Sequence, residues 1–132
     1  MTQEDKQLLF KDLCARLPYK VVVDYGYNAF DVHNGNYIEH GSKCILKCYL
    51  LDVFMSSRQN EKGEYIKPYL RPMSSMTEEE INEFTSFDIY EDGILSFPTA
   101  LDYLNAHHLD YRGLIEKGLA IEAPEGMYMK GE

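Results

Sequence analysis

His107, His108 and Asp110 are the nearest approach to a metal site in the chain, since two imidazoles and a carboxylate suit zinc or iron. Consecutive residues on a helix point about 100° apart, so the two rings diverge, and the competing role is to close a helix whose C-terminal dipole favours histidine. His33 and His40 lie elsewhere, flanking a turn. Cys44 and Cys48, four apart, would share a face of one element, yet zinc would need two further ligands. With Cys14 the cysteines number three, an odd count without a CxxC pair, so buried reduced thiols are expected rather than disulfides or a zinc ribbon. A Cys–His nucleophile would require an electropositive, open setting, to which only Lys43 and Lys47 contribute. No Walker-type loop, GxGxxG, GxSxG or HExxH occurs. No catalytic residue, metal or cofactor is therefore assigned, and a non-enzymatic role is favoured.

Two other groups could bind without converting anything. Glu78, Glu79, Glu80, Glu83, Asp88, Glu91 and Asp92 follow one another with no Lys or Arg among them. Together with Tyr69 and Arg71 on the preceding proline-rich stretch they are the candidate partner-binding residues, an acidic face for a basic protein surface. A solvated helix face is the plain alternative. Arg71, and Arg112 beside Tyr111, could instead hold a nucleotide or another anionic metabolite, or pair internally with an acid. A third reading is nucleic-acid mimicry, which would need carboxylates in rows at phosphate spacing. Eleven tyrosines and no tryptophan suit recognition surfaces, although half-buried sheet tyrosines give the same count.

The elements that must position these groups can be read from periodicity and turn chemistry. Thr2 caps a first helix with Glu4 and Asp5 in its first turn, and Leu9, Leu13, Cys14 and Leu17 are expected on its buried face, with Pro18 ending it. From Tyr19 the β-branched and aromatic content predicts a strand, and Asn34-Gly35 a tight hairpin. Lys43 to Phe54 reads as a long strand, with a buried helix as the alternative, and Tyr65-Ile66 as a short one stopped by Pro68. Pro68 and Pro72 should stiffen Tyr69, Leu70 and Arg71 into an extended ridge.

Thr77 with Glu80 is a capping box opening a helix through Phe84. Phe87 to Phe97 is ambiguous between hairpin and loop. Ser96 or Thr99 can cap a further helix with Pro98 in its first turn, Tyr111 to Lys117 a last short helix with Gly118 at its left-handed end, and Leu119 to Ile121 an edge strand. Leu9, Leu13, Leu17, Val22, Ile45, Leu101, Leu104, Leu114 and Ile115 form the expected core. The fold class that follows is α+β, a small antiparallel sheet or partly open β-barrel with N-terminal and C-terminal helices packed on it.

A chain of 132 residues suggests one domain, and 45% hydrophobic against 27% charged residues is ordinary for a folded protein. A net charge of -9 disfavours direct binding to nucleic acid or anionic lipid. The polar N-terminus and the lack of a long apolar run predict no export signal or membrane anchor, hence a cytoplasmic setting.

Three stretches, Lys11-Asp-Leu-Cys-Ala-Arg-Leu-Pro18, Ile66 to Glu80, and Asp102 to Tyr128, carry a resemblance. Within the last, the run from Tyr103 through His107-His108-Leu-Asp-Tyr-Arg112 to Gly126 is long and specific. The chain here resembles a family of short uncharacterised proteins from gut Bacteroidales genomes and their phages or mobile elements. Val21 to Glu64 falls outside the resemblance. It transfers no activity and no site residue; it implies a bacterial host cell and the role of an accessory or counter-defence factor.

Overall fold

Thr2 opens α1 (Gln3–Arg16) through a reciprocal capping box: its hydroxyl accepts the Asp5 amide at 3.0 Å and its own amide donates to the Asp5 carboxylate at 3.2 Å. The computed structural model describes residues 2–33, 35–56, 65–85 and 93–128. These divide into two compact units, Met1–Tyr69 and Leu70–Glu132, where length alone suggests one domain.

In the first unit, α1 buries Leu9, Asp12, Leu13 and Arg16, and it lies against α2 (Cys48–Ser56). The buried stripe thus runs at the i, i+3, i+4, i+7 spacing from Leu9, and two of its four positions are charged. That rotates the face away from the expected one: Cys14 is exposed and Leu17 half-buried. Asp12 and Arg16 pair, Nε donating to Oδ2 at 2.8 Å, with both side chains fully enclosed. Pro18 ends the helix as expected, through a 3-10 turn over Leu17–Tyr19, and Lys20 in the left-handed region (φ 58°) sends the chain into β1.

β1 (Val22–Asp31) pairs antiparallel with β2 (Asn36–Ile45) over ten consecutive partners, and on its other side with β3 (Tyr65–Leu70) from Val23↔Pro68 to Gly26↔Tyr65. The hairpin falls where Asn34-Gly35 predicts, with Gly35 at φ 74°, although four residues rather than two separate the paired Asp31 and Asn36; Asn34 lies outside the described residues. Strand alternation places Val21 and Val23 inward, which leaves Val22 half-buried and, across the ladder, Ile45 43% exposed. Both were expected in the core.

β2 does not continue to Phe54. The chain leaves the sheet after Ile45, and after the two-residue link Leu46-Lys47 α2 begins at Cys48, with Leu46 and Leu50 both buried. Pro68 does not stop β3 but sits buried within it, and Tyr69 and Leu70 are buried too, so the expected ridge is extended yet inside the protein.

Gly26 is required by its neighbour. A Cβ there would run into the ring of Tyr65, whose hydroxyl donates to Asp24 at 3.2 Å. The aromatic ring covers the glycine, which has no side chain of its own to fill that face. Gly26→Ala is expected to cost about 2 kcal/mol by overpacking, read as a lower urea midpoint.

β3 leads into the second unit, which holds α3 (Glu78–Thr85), α4 (Gly93–Ala106) and the two-residue β4 (Ile121–Glu122). Strand order is β2-β1-β3-β4, so the described strands form a small open sheet and the fold is α+β, with helices packed on it, as expected. Leu70, Ala100, Leu104, Leu109, Leu114, Leu119 and Ala120 form this unit's core. Leu101 and Ile115, expected among them, are half-buried.

α4 begins at Gly93, before either Ser96 or Thr99, so Pro98 falls inside it rather than in a first turn. Residues 111–117 form turns instead of a helix, tied by the Asp110 carboxylate, which accepts the amides of Leu114 (2.9 Å) and Ile115 (3.0 Å). Gly118 has the expected positive φ, 75°.

Candidate functional site

Arg71 is the hub of the second unit. Its amide donates to the His108 carbonyl and its carbonyl accepts the Asp110 amide, both at 2.8 Å, forming a parallel bridge with Leu109. Its guanidinium then engages every N–H it has. Nε donates to Ser75 Oγ at 3.3 Å; Nη1 donates to Glu80 Oε2 at 2.8 Å and to the His107 carbonyl at 3.4 Å. Nη2 donates to Glu80 Oε1 at 2.7 Å and to the Ser75 carbonyl at 3.1 Å. Five N–H groups are all that a guanidinium carries, so none remains for an anionic ligand.

Glu80 is equally committed. As the third residue of the Thr77 capping box it accepts the Thr77 amide at 2.9 Å, while its own amide donates to Thr77 Oγ1 at 3.1 Å. The same carboxylate takes both prongs of the Arg71 fork and, at 3.0 Å, the Nδ1 of His107, whose proton this carboxylate places on that nitrogen. The Glu80 side chain is only 4% exposed. Its backbone carbonyl accepts the Tyr103 hydroxyl at 3.4 Å, and that hydroxyl also reaches Glu83 at 3.3 Å. The Tyr103 and His107 rings, four residues apart on α4 and just past it, stack with centroids 4.1 Å apart.

The Arg71 hydrogen bond is the main cause that holds the Glu80 carboxyl at about 2, against an ordinary 4.5. Burial opposes it, while the Thr77 amide and the charges of Arg71 and His107 add to it. Burial, then the charges of Glu83 and Glu80, push Tyr103 up to about 12. A carboxylate depressed on folding stabilises the folded state at any pH above its unfolded value. About 3 kcal/mol should therefore be present above pH 4.5 and be lost as pH falls toward 2. Urea midpoints measured from pH 6 down to 2 should show this slope, and in Glu80→Gln the slope should flatten.

The residues singled out from the sequence now separate. Glu78, Glu79 and Glu83 are exposed on α3, whereas Glu80 turns inward and Tyr69 is 7% exposed in β3, so neither of these two belongs to an outer acidic face. Asp88, Glu91 and Asp92 lie outside the described residues. Arg112 stacks over the Tyr111 ring, 4.7 Å from its centroid, and donates to its hydroxyl at 2.9 Å; that hydroxyl donates to Asn105 at 2.9 Å.

The His107-His108-Asp110 group disperses into three roles. His107 faces Glu80, His108 adopts a positive φ of 60° with its ring 3.8 Å from that of Tyr128, and Asp110 ties the following turn. Among the described residues no group of three or more His, Cys, Asp or Glu is placed to hold a metal ion. Cys44 and Cys48 fall in different elements, β2 and α2, and burial together with Asp24 pushes the Cys44 thiol up, partly opposed by Lys47. His107 was weighed as a metal ligand or a helix-closing residue, not as a partner of Glu80, and neither Tyr103 nor Ser75 was weighed as a site residue; the one local signal was the i, i+4 spacing of Tyr103 and His107.

No protein-family model, no curated protein and no solved structure matches the chain. No helix among the described residues is long and apolar enough to cross a membrane.

Proposed function

We propose that this protein is a non-enzymatic binding module that presents the outer face of α3 to a basic protein surface. The observation that carries this reading is the division of one short helix. Glu80 is clamped from behind, while Glu78, Glu79 and Glu83 face solvent together with Ile81 at 46% exposure. Ile81 lies one helical turn from Glu78, and an apolar side chain beside an acidic one suits a recognition surface in which the charges steer and select while the apolar group supplies contact energy. Met73, 39% exposed in the turn before α3, adds a second apolar contact on the same segment. The Arg71 clamp supports the reading too, because a helix held rigid loses less entropy on binding.

A bacterial host cell, and an accessory or counter-defence role within it, is the setting that the Bacteroidales resemblance supplies. Sequestration of a nucleotide or anionic metabolite loses Arg71 as a donor and rests on Arg112 and Tyr111 alone. Mimicry of nucleic acid has three exposed carboxylates on one short helix to rest on, short of a row. A pull-down from bacterial lysate at low and moderate salt tests the leading reading. The wild type should retain a basic partner at low salt that both moderate salt and the Glu78→Gln/Glu79→Gln/Glu83→Gln variant release. Identical partner lists for the two proteins would overturn it.

A further inference from the structure

We propose that Ser75 is a phosphorylation site for a serine/threonine kinase that selects acidic residues after its acceptor, and that Arg71 receives the phosphate. Ser75 closes the 3-10 turn Met73–Ser75, whose residues Met73, Ser74 and Ser75 are all exposed. Glu78, Glu79 and Glu80 stand third, fourth and fifth after it, and the next Lys or Arg beyond Arg71 is Arg112. Glu78 and Glu79 are exposed, so a basic substrate groove can read both of them beside the acceptor.

Three hydroxyls lie in this stretch, and their surroundings separate them. Thr77 is half-buried, and its hydroxyl accepts the Glu80 amide at 3.1 Å as the cap of α3, so a phosphate there would remove the cap. Ser74 is exposed but has Thr77, not an acid, third after it. Ser75 combines exposure with an acid at that position. Its hydroxyl accepts Arg71 Nε at 3.3 Å and donates to the Pro72 carbonyl at 2.7 Å.

In the transfer, Ser75 Oγ attacks the γ-phosphorus of ATP, the bond from that phosphorus to the bridging oxygen breaks, ADP leaves, and the hydroxyl proton passes to the kinase's carboxylate base. On the substrate side one exposed hydrogen bond is given up, the one to the Pro72 carbonyl. The product carries its charge on the group that Arg71 already serves. Nε–H points at Ser75 itself, so a phosphate built on that oxygen inherits the donor while Glu80 keeps both Nη1 and Nη2. The positive end of the α3 dipole, three residues on, acts in the same direction. Glu78 and Glu79 oppose it, but both are exposed, and solvent screens their repulsion more than it screens contact with a guanidinium whose side chain is 18% exposed. Attraction wins, and the phosphate fastens the turn instead of opening it. The site stands independently of the binding reading for α3; a basic partner would meet a more negative face once Ser75 is modified.

Incubation of the folded full chain with ATP and a purified serine/threonine kinase of acidic specificity, followed by intact-mass and fragment mass spectrometry, tests the site. One phosphoryl group should be gained, on Ser75. Ser75→Ala should abolish the gain, Ser74→Ala should leave it unchanged, and Glu78→Gln/Glu79→Gln should slow it about tenfold or more. Phosphorus NMR tests the receiver: the phosphoserine resonance of the folded protein should titrate at lower pH than that of the same protein in urea, because a neighbouring guanidinium favours the dianion. A folded chain that stays unmodified, or that is modified on Ser74 or Thr77 instead, would overturn the site. Titration at the same pH with and without urea would overturn the Arg71 contact.

Discussion

Arg71→Ala is expected to be among the most destabilising single substitutions in the chain, costing about 3–5 kcal/mol. The magnitude comes from what remains behind. Glu80 would keep its negative charge at 4% exposure with only the Thr77 amide and His107 as partners, and the carbonyls of Ser75 and His107 would lose a donor. Arg71→Lys should recover little of this, because an ammonium cannot span both Glu80 oxygens and the two carbonyls from one position. The backbone bridge to His108 and Asp110 survives either substitution, so the loss belongs to the guanidinium. Urea denaturation followed by circular dichroism reads the effect, and an alanine variant within about 1 kcal/mol of wild type would show that the fork is not structural.

Asp12→Ala should have an effect of similar size by the same logic, in the other unit. Arg16 would be left fully enclosed without its carboxylate, at a cost of about 3–5 kcal/mol. Replacing both partners together, Asp12→Leu/Arg16→Met, should recover most of that loss, since apolar side chains of similar size remove the need for pairing. Leu13→Ala, beside them on the same stripe and fully buried, should cost about 2–5 kcal/mol through the cavity it leaves. If Asp12→Ala costs as little as an exposed pair would, the enclosure of the pair in α1 is wrong.

Local rules were the legible part of this fold. The Thr2 cap and the Thr77–Glu80 capping box follow from the residues at the helix starts, and the hairpin at Gly35 and the positive φ of Gly118 follow from turn chemistry, whereas the return bond from Asp5 to Thr2 was not foreseen. The α+β class followed from the same signals. Errors arose where burial overrode local pattern. Charged Asp12 and Arg16 occupy positions of the α1 stripe, so hydrophobicity alone rotated it toward Cys14.

The apolar run after Lys43 suits strand and helix alike, and the two-residue link at Leu46 that divides β2 from α2 has no proline or glycine to mark it. Of the candidate site, the pairing of Arg71 with an acid was among the readings open, but which acid was not. His107 stands 27 residues from Glu80, and nothing local joins them. The acidic run looked uniform because identical glutamates give no sign that one of them turns inward.

That inward turn is the central claim, and melting two variants side by side tests it most directly. Glu78→Gln/Glu79→Gln/Glu83→Gln removes three exposed charges and should cost less than about 1 kcal/mol, mostly through the dipole at the start of α3. Glu80→Gln removes one charge from the same helix and should cost about 3 kcal/mol, the stabilisation implied by a carboxyl held at about 2. The predicted result is a triple variant that melts close to wild type and a single variant that melts well below it. Equal losses, or a greater loss from the triple variant, would contradict the division of α3 into a clamped, buried Glu80 and three exposed glutamates.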